Sequence, residues 1–132
     1  MEEKRCFQCK EIKLLSLFYK NKSNSDGYSG LCKECQSLNE KENNQKAREW
    51  IDSIKKENPC SKCGEKRWYV LDFHHIDESK KTMVISTYAI SGTTSFETKK
   101  RKILEELKNC IILCSNCHRE EHYFRRLKLK DF

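Results

Sequence analysis

Apolar material is scarce in this chain: 36% of its 132 residues are hydrophobic, and as large a fraction is charged. That composition excludes a large hydrophobic core, and small domains or modules with so little apolar material often need an additional staple. No run approaches the roughly 18 apolar residues that a membrane span requires, so no membrane partner is expected. An apolar stretch of the secretory kind is also missing after Met1, Glu2, Glu3, Lys4 and Arg5. We therefore expect a reducing, cytoplasmic setting, where disulfides are rare and paired cysteines bind metal. The length suits one domain or two very small modules.

What the chain has in quantity is cysteine. Eight of its nine cysteines fall into four C-x2-C knuckles: Cys6/Cys9, Cys32/Cys35, Cys60/Cys63 and Cys114/Cys117. A knuckle sets two thiolates on a tight turn at the separation a tetrahedral ion needs, and two knuckles close the coordination shell. We therefore expect two structural Zn2+ ions. Spacing leaves the pairing open: first with second and third with fourth, or the middle two together and the outer two together. Cys110 stands alone and reads as a small apolar side chain. The formal charge of +7 becomes roughly +5 once metals and thiolates are counted, which agrees with a nucleic-acid partner without establishing one.

The organisation reads as a metal-stapled α+β chain. Residues 1–36 form a zinc-binding module of zinc-ribbon or treble-clef type. Residues 37–57 lack Gly and Pro and form a linking helix, with Ala47, Trp50, Ile51 and Ile54 on one face. Asn58-Pro59 stops it. From 58 to 132 a strand is expected over RWYVLDFHHI, then a loop-like stretch over 76–94. A helix follows, capped by Ser95 or Thr94, then a short strand at Ile111–Leu113 and a last helix capped by Ser115 or Asn116.

All four histidines lie in two clusters, His74-His75 and His118-x3-His122. The second pair is spaced i, i+4 on the expected last helix, so both imidazoles leave one face and suit a shared metal ion.

The segments LDFHH (71–75), Asn109 and CSNCHREEH (114–122) resemble the HNH nuclease motif, over about residues 58–124. The flanking Cys60/Cys63 and Cys114/Cys117 are similar to the zinc-braced members of that family from phage and bacterial genomes. The N-terminal RCFQCKEIKLLSLFYKNKSNSDGYSGLCKEC resembles a zinc module found ahead of phage HNH domains. The resemblance implies a ββα-metal fold, with Cys6/Cys9 joined to Cys32/Cys35 and Cys60/Cys63 to Cys114/Cys117. It implies His75 as general base, His74 and His118 as ligands of one catalytic divalent metal, and His122 as a third ligand. Asn109 would fix the loop that orients His75. Asp72 would either support a histidine or reach the metal through water. In many HNH proteins an Asp immediately precedes the base; here His74 holds that place, and an all-imidazole site suits Zn, Ni, Co or Mn better than Mg.

The activity implied is metal-dependent hydrolysis of phosphodiester bonds in double-stranded DNA, in a phage or mobile-element nuclease of homing or packaging type. Candidate phosphate contacts are Arg119 and Arg125 on the last helix, with Lys99, Lys100, Arg101 and Lys102 on the preceding one. The alternative is a non-catalytic zinc-stabilised DNA-binding or adaptor protein. Oligomeric state is not legible.

Overall fold

The structure, a computed structural model, describes residues 2–130, with side chains through residue 128. It is a small α+β protein whose described residues form three two-stranded antiparallel hairpins and four helices. The chain divides into two compact units, residues 1–43 and 44–132. No helix among the described residues is long and apolar enough to cross a membrane.

In the first unit, β1 (Glu3–Arg5) pairs with β2 (Ile12–Leu14), and the Cys6/Cys9 knuckle makes the turn between them. β3 (Phe18–Lys20) then pairs with β4 (Tyr28–Cys32), placing Phe18 opposite Cys32. The core is correspondingly small: Cys6, Phe18, Cys32 and Cys35, with Tyr28 and Leu31 packed against them. α1 (Lys33–Glu57) starts directly after Cys32, earlier than the linking helix expected from residue 37. Its start is fixed by sulfur: Cys32 Sγ accepts the Cys35 backbone N–H at 3.4 Å, the bond that an N-cap oxygen would supply.

The second unit buries the apolar half of α1. Ala47 and Ile51 pack with Ile85 and Ala89 of α2 (Ile85–Ala89) and Ile103 of α3 (Phe96–Leu107). Trp50 meets Phe96 edge-on, with ring centroids 6.2 Å apart. Ser95 caps α3 by accepting the Thr98 N–H. β5 (Leu71–His75) pairs in continuous register with β6 (Cys110–Cys114), from Leu71 opposite Cys114 to His75 opposite Cys110. α4 (Ser115–Lys130) follows at once.

Several local expectations change. The strand expected from Arg67 begins only at Leu71, and Trp68–Val70 is a 3-10 turn. The partner strand ends at Cys114, so residues before Leu71 have no ladder to join. Within 76–94, a 3-10 turn at Glu78–Lys80 and the short α2 replace loop. α4 is capped by the Cys114 sulfur, which accepts the Cys117 N–H at 3.4 Å, while Ser115 donates to the Val70 carbonyl. Lys99 is fully buried, its ammonium donating to the Ala89 carbonyl at 3.1 Å and to Asn44 Oδ1. It is a packing lysine, not a phosphate contact.

The two units repeat one frame: a knuckle, a hairpin, then a helix whose first turn carries the fourth cysteine. The hydrogen bonds correspond position by position. Cys6 N–H donates to the Glu11 carbonyl as Cys60 N–H does to Glu65, and Phe7 N–H to Gly30 as Ser61 N–H to Ile112. The residue after each first knuckle, Lys10 or Gly64, donates back to the first cysteine's carbonyl from a positive φ.

Candidate metal centre

The frame brings the cysteines together as Cys6, Cys9, Cys32 and Cys35 in one unit and Cys60, Cys63, Cys114 and Cys117 in the other. Within them, Cys6 and Cys35 Sγ, and Cys63 and Cys114 Sγ, are 3.7 Å apart. Tetrahedral zinc with bonds of about 2.3 Å sets its sulfurs about 3.8 Å apart. Burial opposes ionisation of Cys6, but N–H donors from Cys32, Cys9 and Gln8 outweigh it and bring the thiol down to about 5. Cys35, by contrast, is pushed up to about 12 by burial and by the neighbouring sulfurs. Thiols that oppose one another's ionisation in a closed cluster are a donor set that a dication satisfies. Lys13 adds a positive charge, its ammonium 3.3 Å from Cys32 Sγ. Each cluster is a candidate structural zinc site. Cys110 belongs to neither; burial raises its thiol to about 11, and it donates weakly to the Glu106 carbonyl.

A third group, His74, His118 and His122, places one ligand atom from each residue within 4.8 Å of the others. The hairpin and helix make it. Alternation along β5 sends Asp72 and His74 toward α4, where His118 follows Cys117 and His122 stands one turn later. His118 and His122 Nε2 lie 3.0 Å apart, within the spacing of nitrogens sharing an ion at about 2.0–2.1 Å. Asp72 Oδ2 lies 3.3 Å from His118 Nδ1, so Asp72 supports a histidine, leaving Nε2 to face its neighbours.

Burial, then the positive fields of His118 and Arg125, lowers the His74 pKa to about 4. The same three causes lower His122. Both are neutral at pH 7, as ligation requires. Arg125 Nη2 donates to His74 Nε2 at 3.1 Å, which engages the one lone pair of the neutral imidazole and puts its proton on Nδ1, buried with no hydrogen-bond partner. Neutral imidazoles that converge at this spacing fit a borderline divalent metal, which would take the His74 lone pair in place of the Arg125 guanidinium.

His75 leaves the opposite face of β5. It is only 7% exposed, yet it lines a cavity of about 300 Å³ together with Asp72, Glu78, Lys81, His118 and His122. Its Nε2 lies 2.9 Å from Glu106 Oε1 of α3. Burial pushes the Glu106 pKa up, but hydrogen bonds from Thr82 and His75 outweigh it and hold the carboxyl below the usual glutamate value. Asn109 clamps the loop that follows His75: Nδ2 donates to the Asp77 carbonyl at 2.8 Å and Oδ1 accepts the Asp77 N–H at 3.1 Å. The Asn109 carbonyl also accepts the Ile76 N–H at 2.8 Å.

Arg125 bridges Glu78, His74 and the His75 carbonyl, while Arg119 is exposed on α4 beside His118. The residues that sequence reasoning missed are Glu106 and Thr82. Glu106 sits in an ordinary charged helix, ILEELK; its place three residues after Ile103 puts it on the inward face, unlike exposed Glu105, but its charge reads as solvent-facing. Compared with family models, with curated proteins and with solved structures, the chain matches none.

Proposed function

We propose that the second unit is a metal-dependent endonuclease centre of HNH type, hydrolysing phosphodiester bonds in double-stranded DNA. The observation that carries the reading is the convergence of His74, His118 and His122 on one frame whose next strand residue, His75, lines a cavity with His118 and His122. Zinc-only structural roles need no such group, since each four-cysteine cluster closes its own shell.

His74, His118 and His122 would hold the divalent ion, which when bound supplies positive charge at a phosphoryl oxygen. Asp72 keeps His118 turned toward that position. His75 takes a proton from water as its oxygen bonds to phosphorus; the bond from phosphorus to the 3′-oxygen breaks, and that oxygen leaves with the electron pair and is protonated by solvent. Asn109 holds the chain behind His75 so that the imidazole does not drift. Arg125, displaced from His74 by the ion, would supply a guanidinium beside the site for a phosphate oxygen, and Arg119 a second cation on the same helix. The first unit has the same frame without this group: Gln36 and Glu40 stand where His118 and His122 stand relative to the fourth cysteine. It therefore carries no share of the proposed chemistry.

The test is plasmid cleavage by chelator-treated protein, with Mg, Mn, Ni, Co or Zn added back separately, beside His75→Ala. The expected result is metal-dependent relaxed or linear DNA from the unaltered chain, reduced at least about 100-fold in the variant. Folded protein with two zinc ions and no cleavage under any metal would overturn the reading in favour of a DNA-binding or adaptor module.

A further inference from the structure

We propose that Glu106 is the positioning residue for His75, fixing its proton on Nε2 and presenting the bare Nδ1 to the cavity. The inference deepens the nuclease reading and rests on it for its kinetic consequences, though its structural core stands without it.

A strand side chain on β5 has no reason of its own to adopt one imidazole tautomer. His75 is given one by what it faces. A carboxylate only accepts hydrogen bonds, and Glu106 Oε1 is 2.9 Å from Nε2. The same Oε1 accepts the Thr82 backbone N–H at 3.0 Å, and Oε2 accepts the Thr82 hydroxyl. Both residues of the pair are buried, His75 at 7% exposure and Glu106 at 6%. The carboxylate thus cannot turn away, and the only N–H that His75 can offer it is Nε2–H. A neutral imidazole with Nε2 protonated keeps its lone pair on Nδ1. That places the proton-accepting atom on the edge of the ring away from α3.

Thr82 makes the carboxylate unusually specific. Its backbone N–H cannot become an acceptor, so the atom at the Oε1 position must be an oxygen. Glu106→Gln therefore has one good orientation: the amide oxygen accepts from His75 and Thr82, and the amide nitrogen donates to the Thr82 hydroxyl oxygen. Gln keeps the positioning and removes the charge. Ala removes both.

The experiment is long-range 1H–15N NMR of the zinc-loaded full chain, read at His75, beside steady-state plasmid cleavage. The unaltered chain should show His75 protonated on Nε2 alone. Glu106→Gln should keep that tautomer and cleave within about 5-fold of it. Glu106→Ala should show exchange between tautomers and lose about 100-fold in kcat with KM unchanged, the scale of a positioned general base. Glu106→Met, of similar length and apolar, replaces the alanine variant if that one fails to hold two zinc ions. The proposal is overturned by Nδ1–H in the unaltered chain, by an unaffected tautomer or kcat in the alanine and methionine variants, or by Gln falling as far as Ala. Absence of cleavage by the unaltered chain would sink the nuclease reading instead, and the NMR result would still decide this one.

Discussion

His118 and His122 face each other through Nε2 atoms 3.0 Å apart, while the far nitrogen of His118 is engaged by Asp72. One helical turn and one strand carboxylate thus determine which atoms look into the site. Removing the carboxylate leaves the imidazole free to rotate. Asp72→Ala should weaken the metal held by His74, His118 and His122 by 10–100-fold, the usual cost of deleting such a partner. Titration of Co2+ into two-zinc protein, followed by visible absorption, reads the change. An unaltered Co2+ affinity would leave Asp72 without a role there.

The sulfur clusters carry a different prediction, because Cys32 and Cys114 are both ligands and helix caps. A structural zinc site is worth about 10–16 kcal/mol to folding, far beyond the about 1 kcal/mol of an ordinary cap. Cys6→Ser should cost one zinc and spare the histidine site, which lies in the other unit. Cys114→Ser should cost one zinc together with the histidine site, since α4 and β6 meet at that residue. Metal counting by mass spectrometry, with Co2+ absorption for the third site, separates the two. Loss of both zinc ions from either variant would contradict two independent clusters.

What could be read in advance follows from where the information sits. Cysteine knuckles are written in side chains at fixed spacing, so two four-cysteine sites and the His118/His122 face were legible, whereas which knuckles pair came only from the resemblance to the zinc-braced HNH motif. The starts of α1 and α4 were misplaced because cysteine sulfur took the capping position that sequence rules assign to oxygen-bearing side chains. The true length of β5 depends on where its partner ends, which is tertiary information. Buried Lys99 and Glu106 lie four residues before and three after Ile103, on the face that helical spacing turns inward, while Arg101 and Glu105 fall outside it; charge alone hid the buried pair. Charged residues are assigned to solvent by default, and both of these are held by partners distant in sequence.

Lys10 and Gly64 occupy equivalent positions after their knuckles, at φ of 67° and 77°. Left-handed backbone costs an L-residue about 1–2 kcal/mol, and glycine escapes that cost. A Cβ at Gly64 would meet nothing within 4 Å, so Gly64→Ala isolates the backbone contribution. It should lower stability by about 1 kcal/mol, and Lys10→Gly should raise it by a similar amount. Thermal melts in excess zinc should move by about 3–8 °C in opposite directions. Shifts of the same sign would show that the two turns are not equivalent.

Acid should act on the second unit through His74. Its ordinary value of 6.5 is lowered to about 4, first by burial and then by the positive charges of its neighbours. In the unfolded chain the imidazole takes a proton near 6.5, whereas in the folded chain it stays neutral until about pH 4. Across that window the unfolded state binds more protons, so stability must fall as pH falls. His74→Asn removes this component and leaves every other titrating group in place. Unfolding by urea at pH 7.0, 6.0 and 5.0, with two zinc ions per chain, should show a shallower decline for the variant. The difference between the two curves is the quantity to read, since cysteine protonation on zinc loss slopes both in the same direction. Parallel curves would mean that His74 carries its proton in the folded state as readily as in the unfolded one, and it would then be a poor metal ligand at neutral pH.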